Sequence, residues 1–238
     1  METAVVPTIW RAHDLLDLEA YEEHAWRRAI ELILSLQGRP GAFDQGCNRI
    51  RHGHRICEHF ISGFFSPAPP EQRVAPVMFP NGKVFRADPA ARFALSCGAL
   101  RVALRGGLGS RPLIERHLAS LLQLQQQWTD WTGYFAPDTI IAGIHAIACG
   151  SQSSEVRAKL SSVIAARQGR DGSWPNADLF HTLEALLALG TPEAREAVRR
   201  AVPALLSRQR LDGSFGPTAQ QERALIALRA LLWAEPES

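Results

Sequence analysis

The sequence predicts an all-α fold, an α/α toroid or short α/α solenoid of about five outer–inner helical hairpins, and three observations carry that prediction. A glycine followed closely by an aromatic recurs five times, at Gly41-Ala-Phe43, Gly82-Lys-Val-Phe85, Gly133-Tyr134-Phe135, Gly172-Ser-Trp174 and Gly213-Ser-Phe215, with the glycines 41, 51, 39 and 41 residues apart. Four of these elements follow a helical stretch that carries a glutamine: Gln37, Gln125, Gln168 and Gln209. The helix before each turn is charged along one side and the helix after it is apolar nearly all round, which sends the first outside and the second inside. Strand signals are nearly absent.

Taken in order, the first unit runs through Leu34-Ser-Leu-Gln37 to the turn at Gly41. The second departs from the pattern. Between positions 64 and 81 it holds Pro67, Pro69, Pro70, Pro76 and Pro80, so a full outer helix is excluded and a loop is expected, a lid or interface at one end of the ring or a filler for a degenerate repeat. After the turns, Asp88, Asp138 and Asp178 stand where a carboxylate can cap a new inner helix, with Pro89 suited to the first helical position. The fourth outer helix spans 191–206, and the last inner helix is expected to open at Thr218, another good N-cap.

Composition bounds the rest. The chain has 238 residues, 46% hydrophobic and 21% charged, an ordinary globular composition. The repeat places all of 1–238 in a single toroid domain. A net charge of +2, from 26 basic and 24 acidic side chains, predicts no nucleic-acid footprint. Only Lys83 and Lys159 are lysines and the other 24 bases are arginines, a bias that codon usage explains and that also suits bidentate capture of phosphate or carboxylate. Cys47, Cys57, Cys97 and Cys149 are scattered, and no apolar signal core opens the chain, so a reduced cytoplasmic protein is expected. No apolar run is long enough for a membrane span. Peripheral membrane contact stays open.

The stretches Gln168-Gly-Arg-Asp-Gly-Ser-Trp174 and Gln209-Arg-Leu-Asp-Gly-Ser-Phe215 resemble the QW-type repeat of the terpenoid cyclase and protein prenyltransferase superfamily. The resemblance covers the chain from Trp26 to Trp233. Two stretches point to the prenyltransferase side. Gly41-Ala-Phe43-Asp-Gln-Gly-Cys47-Asn48-Arg49-Ile50-Arg51-His52-Gly53-His54 is similar to the β-subunit stretch G-G-F-x-x-x-C-N-K-L-x-D-G-C, and Asp178-Leu-Phe-His181-Thr182 is similar to D-x-[FY]-H-T. In that family the Asp and Cys of the first stretch and the His of the second bind the catalytic zinc. The matching positions here are His52, His54 and His181, so the resemblance implies a Zn2+ site of three histidines, without the thiolate and the negative charge. A three-His site with an open position suits activation of water or polarisation of a carbonyl.

The candidate site follows from these residues. His181, Asp178 and Asp138 are the candidate catalytic groups, each with a bland counterpart as core histidine or helix cap. Arg49, Arg51 and Arg55, beside the histidines, can hold a diphosphate through charge-assisted bonds or form a solvated basic face. Asp88, His145 and Trp174 complete the candidate substrate contacts, His145 as cavity lining or core, and Trp174, with Trp128 and Trp131, also as packing between repeats. Glu184 and Glu222-Arg223 interrupt apolar inner helices, where a charge must be paired or face a wet cavity.

Three functions compete. The resemblance favours an enzyme of isoprenoid-type metabolism that holds a hydrophobic, isoprenoid-like substrate in a central cavity for prenyl transfer or cyclisation. A non-catalytic toroid that binds a partner protein or lipid is the alternative, and a partner subunit or a second copy would also complete a ring that commonly takes about six hairpins. Carbohydrate processing ranks last, because the inner helices are poor in Tyr and Trp.

Overall fold

The structure, a computed structural model, describes residues 5–17, 23–35, 73–125, 128 and 136–235. Among the described residues there are nine helices and one two-stranded sheet, so the protein is mostly helical. They fall into two compact units, one of Met1–Val77 with Phe85–Gln127 and one of Met78–Val84 with Trp128–Ser238. No helix among the described residues is long and apolar enough to cross a membrane.

The first unit holds α1 (Val5–Asp17), α2 (Glu23–Ser35), α3 (Asp88–Arg105) and α4 (Pro112–Leu124). α3 packs against each of the other three and is buried along most of its length, which is why Phe93, Leu95, Leu100 and Val102 lie on different sides of one apolar helix. Of its buried polar residues, Ser96 donates to Arg92 O at 2.9 Å and Arg101 donates to Nε2 of the buried His13 at 3.0 Å. Asp88 is the first residue of α3 and not its cap, since Ala87 occupies that position. Its carboxylate accepts instead from the amides of Val74 and Ala75 and from Arg92. Burial pushes the Asp88 carboxyl up, but these bonds outweigh it and hold the group below its ordinary value.

α4 carries a pH-sensitive group. Burial, with the Arg116 charge adding to it, pushes His117 down to about 4. The unfolded chain takes up this proton near pH ~6.5 while the folded chain resists it, so the stability His117 contributes is complete above that pH and is lost as pH falls toward 4. The full loss amounts to about 3 kcal/mol. Urea unfolding of the protein and of His117→Gln between these pH values checks this: the wild-type slope should be steeper, and equal slopes would refute it.

β1 (Val77–Met78) and β2 (Val84–Phe85) form a hairpin whose tip belongs to the second unit. That unit continues with α5 (Pro137–Ala148), α6 (Ser154–Ala165), α7 (Leu179–Leu189), α8 (Pro192–Leu206) and α9 (Gln220–Ala234). α5, α7 and α9 pack side by side in one layer, and α6 and α8 pack on each other and on that layer. Arginine links the layers at the same place in two successive repeats. Arg157, in the first turn after the Ser153 cap of α6, donates to the carbonyls of Ala148 and Gly150 and of Ala188 and Leu189, at the C-terminal ends of α5 and α7. Arg195, similarly placed after the Thr191 cap of α8, donates to the carbonyls of Trp233 and Glu235 at the end of α9. Each cation answers the partial negative charge of unsatisfied helix-end carbonyls.

Three turns of the unit share one hydrogen-bond pattern. Gly169 N donates to Ser173 O, Gly172 N to Gly169 O and Ser173 N to Asp171 Oδ1, at 2.7, 3.0 and 3.0 Å. Arg210, Gly213, Ser214 and Asp212 repeat this at 2.8, 2.9 and 2.9 Å. Phe79, Gly82, Lys83 and Asn81 repeat it again, at 2.8, 2.9 and 3.0 Å. The three glycines all have φ of 82°, the left-handed residue of a type I turn closed by a G1 bulge, which an Asn-Gly or Asp-Gly pair favours. The second unit of the repeat, degenerate in its prolines, therefore keeps the turn. Gln168 Nε2 donates to Gly172 O and to Ala197 O, both at 2.8 Å, tying its own turn to α8, while Gln209 Nε2 repeats only the bond within the turn, to Gly213 O at 3.3 Å.

Two more capping expectations, besides that for Asp88, are corrected. Pro137 takes the first position of α5 and moves the cap back to Ala136, leaving Asp138 inside the first turn. α9 begins at Gln220, after Ala219 in a left-handed conformation at φ 51°, so Thr218 stands too early to cap it. Asp178 alone of the three aspartates caps its helix, accepting from His181 N at 3.1 Å.

Candidate functional site

The N-terminal ends of α5 and α7, the start of α9 and the hairpin tip of the second unit bring seven polar side chains together: Asn81, Lys83, Asp138, Asp178, His181, Glu184 and Arg223. Asp138, freed from capping its own helix, uses one oxygen to accept from Asp178 N at 2.8 Å and the other to pair with Lys83 Nζ. It thus holds the cap of the neighbouring helix. Arg223 donates to Asn81 O at 3.0 Å and to Phe215 O at 3.2 Å, lies 3.9 Å from Asp178 Oδ2 and rests over the Phe180 ring. It joins two turns to the start of α7.

His181 sits at the centre and is 0% exposed. Its Nε2 is 3.2 Å from Asp138 O, an acceptor only, so Nε2 carries the proton. Nδ1 is then the acceptor, and Asn81 Nδ2 donates to it at 3.1 Å. The second proton of that amide goes to Glu184 Oε2 at 2.8 Å, while Asn81 Oδ1 accepts from Lys83 N, which fixes the orientation of the amide. Phe79 closes the other side with an edge-on ring contact to the imidazole. The arrangement holds His181 as a neutral imidazole with both nitrogens engaged.

Electrostatically the cluster sets Lys83 and Arg223 against Asp138, Asp178 and Glu184. Charges taken this far out of water persist only when paired. Lys83 and Asp178 keep side-chain exposures of 21% and 22%, and Glu184 is half-buried, so these are the members able to meet a ligand. Asp138 is nearly buried and acts through the groups it holds.

The other predicted residues are placed as follows. His145 is buried on α5. Trp174 is 3% exposed and its indole donates to Ile164 O at 2.9 Å, a packing position between its turn and α6. Trp128 is buried against Gly143 of α5, where a Cβ would stand 2.4 Å from the ring. Asp88 belongs to the first unit, in the bonds given above. His52, His54, Arg49, Arg51 and Arg55 lie outside the described residues, as does Trp131.

Among the described residues no three His, Cys, Asp or Glu side chains form a group able to hold a metal ion. His181 does not fit the ligand role that the resemblance implies, because its Nδ1 lone pair is taken by Asn81 and its Nε2 is protonated toward a carbonyl. Glu184 and Arg223, singled out in the sequence as charges in apolar helices, both belong to the cluster and both are paired. Asn81 and Lys83 were not foreseen there. The Asn81-Gly82 pair is a turn signal, and nothing local to it announces a partner about a hundred residues on.

Comparison with protein-family models, with curated proteins and with solved structures gave no match to this chain.

Proposed function

We propose that the chain is an α/α toroid of the terpenoid cyclase and prenyltransferase kind that holds a hydrophobic, isoprenoid-like substrate for prenyl transfer or cyclisation. The observation that carries the reading is the convergence of Lys83, Asp138, Asp178, His181, Glu184 and Arg223 at one end of the apolar layer α5, α7 and α9. The recurrent turns support it: Gln168 ties its turn to α8, and the Gln209 side chain closes its own turn on Gly213 O. In this reading Asp178 and Lys83 face the substrate's polar end, Asp138 positions both, and Arg49, Arg51 and Arg55 bind its diphosphate. His52 and His54 carry the zinc part of the proposal, and no step is routed through His181 as a ligand.

The test is titration of the purified full chain with farnesyl diphosphate, followed by tryptophan fluorescence and by product analysis. Binding is expected, about tenfold weaker in Lys83→Ala, the worth of one charge-assisted bond. A folded chain that binds none of the common prenyl diphosphates would overturn the reading. Metal analysis of wild type against His52→Ala/His54→Ala tests the zinc part separately.

A non-catalytic toroid that binds a partner is favoured by a different observation. The side-chain amide and oxygen of Asn81 and both nitrogens of His181 are engaged within the cluster, as in a structural staple. Retention of prenyl diphosphate binding with no turnover, by wild type and Asp178→Asn alike, is the outcome that selects it.

A further inference from the structure

The surface around the last two turns has a composition that the net charge of the chain conceals. Residues 206–213 are exposed without interruption, and Leu211 at the tip is fully exposed while Leu206 is 47% exposed. Arg208 and Arg210 stand between the two leucines. Arg167 and Arg170 are exposed on the preceding turn, and Arg199 and Arg200 on the stretch of α8 between them. The two turns are neighbours. The Arg200 carbonyl lies against Gly172, and Gln168 bonds to Ala197 O. The Ser173 hydroxyl and amide hold the Asp171 carboxyl below its ordinary value, and the Arg208 cation adds to the effect.

Six arginines thus share one face with three acidic groups, none of them idle. Asp171 is bonded to Ser173, Asp212 to Ser214, and Glu196 pairs with Arg199. The face is therefore cationic in a chain whose overall charge is only +2. At the second of the two turns is an open hollow of about 650 Å³ bounded by Leu206, Gln209, Arg210, Leu211 and Asp212.

We propose that this face, formed by the turns at 167–173 and 206–214 and the end of α8, docks on an anionic lipid bilayer. A guanidinium binds phosphate bidentately, and basic residues near an anionic leaflet each add to the attraction. Leu211 and Leu206 supply what charge alone does not. Aliphatic tips raised among cations enter the boundary between headgroups and acyl chains, where no shaped pocket is needed to receive them. An acidic polypeptide would need such a pocket to take Leu211 out of water. The proposal is independent of the isoprenoid reading.

The experiment is cosedimentation of the purified full chain with vesicles of phosphatidylcholine and phosphatidylserine in equal parts, and with vesicles of phosphatidylcholine alone. Binding to the first and not the second is expected, with a decline as salt is raised. Arg208→Glu/Arg210→Glu should weaken it at least about tenfold, and Leu211→Ser several-fold with the salt dependence unchanged. All three positions are exposed, and unchanged circular dichroism confirms that the variants fold. The proposal fails if anionic vesicles are not bound. It also fails if Arg208→Glu/Arg210→Glu binds as wild type does, which would assign binding to arginines elsewhere in the chain. A third failure is Leu211→Ser without effect together with equal capture by polyglutamate, which would make the partner an acidic polypeptide.

Discussion

Asn81→Ala is expected to lower the stability of the folded chain by about 3–5 kcal/mol in urea unfolding. Asn81 is 1% exposed and engages both amide protons and its side-chain oxygen with three partners from two parts of the chain. Truncation removes the Asn81 donor to His181 Nδ1, on a residue that is itself fully buried. Glu184 loses one donor to its carboxylate, and the Lys83 amide loses the acceptor that closes the turn. Asn81→Asp separates shape from bonding. It keeps the volume and the acceptor for Lys83 N, but it removes both donors and sets a second carboxylate against Glu184. It should therefore fail to rescue, and at neutral pH it should unfold at least as easily as the alanine variant. Wild-type stability in Asn81→Asp would show that the assigned donors and acceptors are wrong.

That cluster marks the boundary between what the sequence makes legible and what it does not. Where a structure is local, the residues announce it. Gln168, Asp171 and Gly172 sit within five positions, and each has a bond or a dihedral angle that only its residue type supplies, so the turn reads from the sequence. The outer helix at 191–206 is found where Thr191 and the apolar periodicity place it. Asp178 is legible in the same way, because a cap bonds to an amide three residues away. Asp88 and Asp138 look alike in sequence and behave otherwise: Pro137 takes the first position of α5 ahead of Asp138, and Asp88 is itself the first residue of α3, so both carboxylates are released for long-range partners. The charges Glu184 and Arg223 could be flagged, because an ionised group in an apolar helix demands a partner. Which partner it has is a tertiary fact. Asn81 and His181 are brought together by the packing of a hairpin tip onto helix ends, and no spacing in a single sequence encodes that.

The same distinction between local conformation and tertiary fit governs the other large effect. Gly172→Ala is expected to cost about 3–5 kcal/mol, or to prevent folding, whereas Gly213→Ala should cost only about 1–2 kcal/mol. Both glycines have φ of 82° and both close the same turn, so the strain of placing an L residue in the left-handed region is common to the two variants. Their surroundings differ. A Cβ on Gly213 would have nothing within 4 Å, while one on Gly172 would stand 2.1 Å from the Arg200 carbonyl oxygen and 3.1 Å from Ala201 Cα. Those are backbone atoms in the middle of α8 and have no rotamer into which to retreat. Relief requires α8 to move off the turn, and that movement pulls Ala197 O from Gln168 and disturbs the packing of α6 on α8. The difference between the two variants in urea unfolding therefore measures the fit of turn to helix, with backbone strain cancelled. Equal losses would mean that the close approach of α8 to Gly172 contributes nothing, and the account of the glutamine as a fastener between repeats would fall with it.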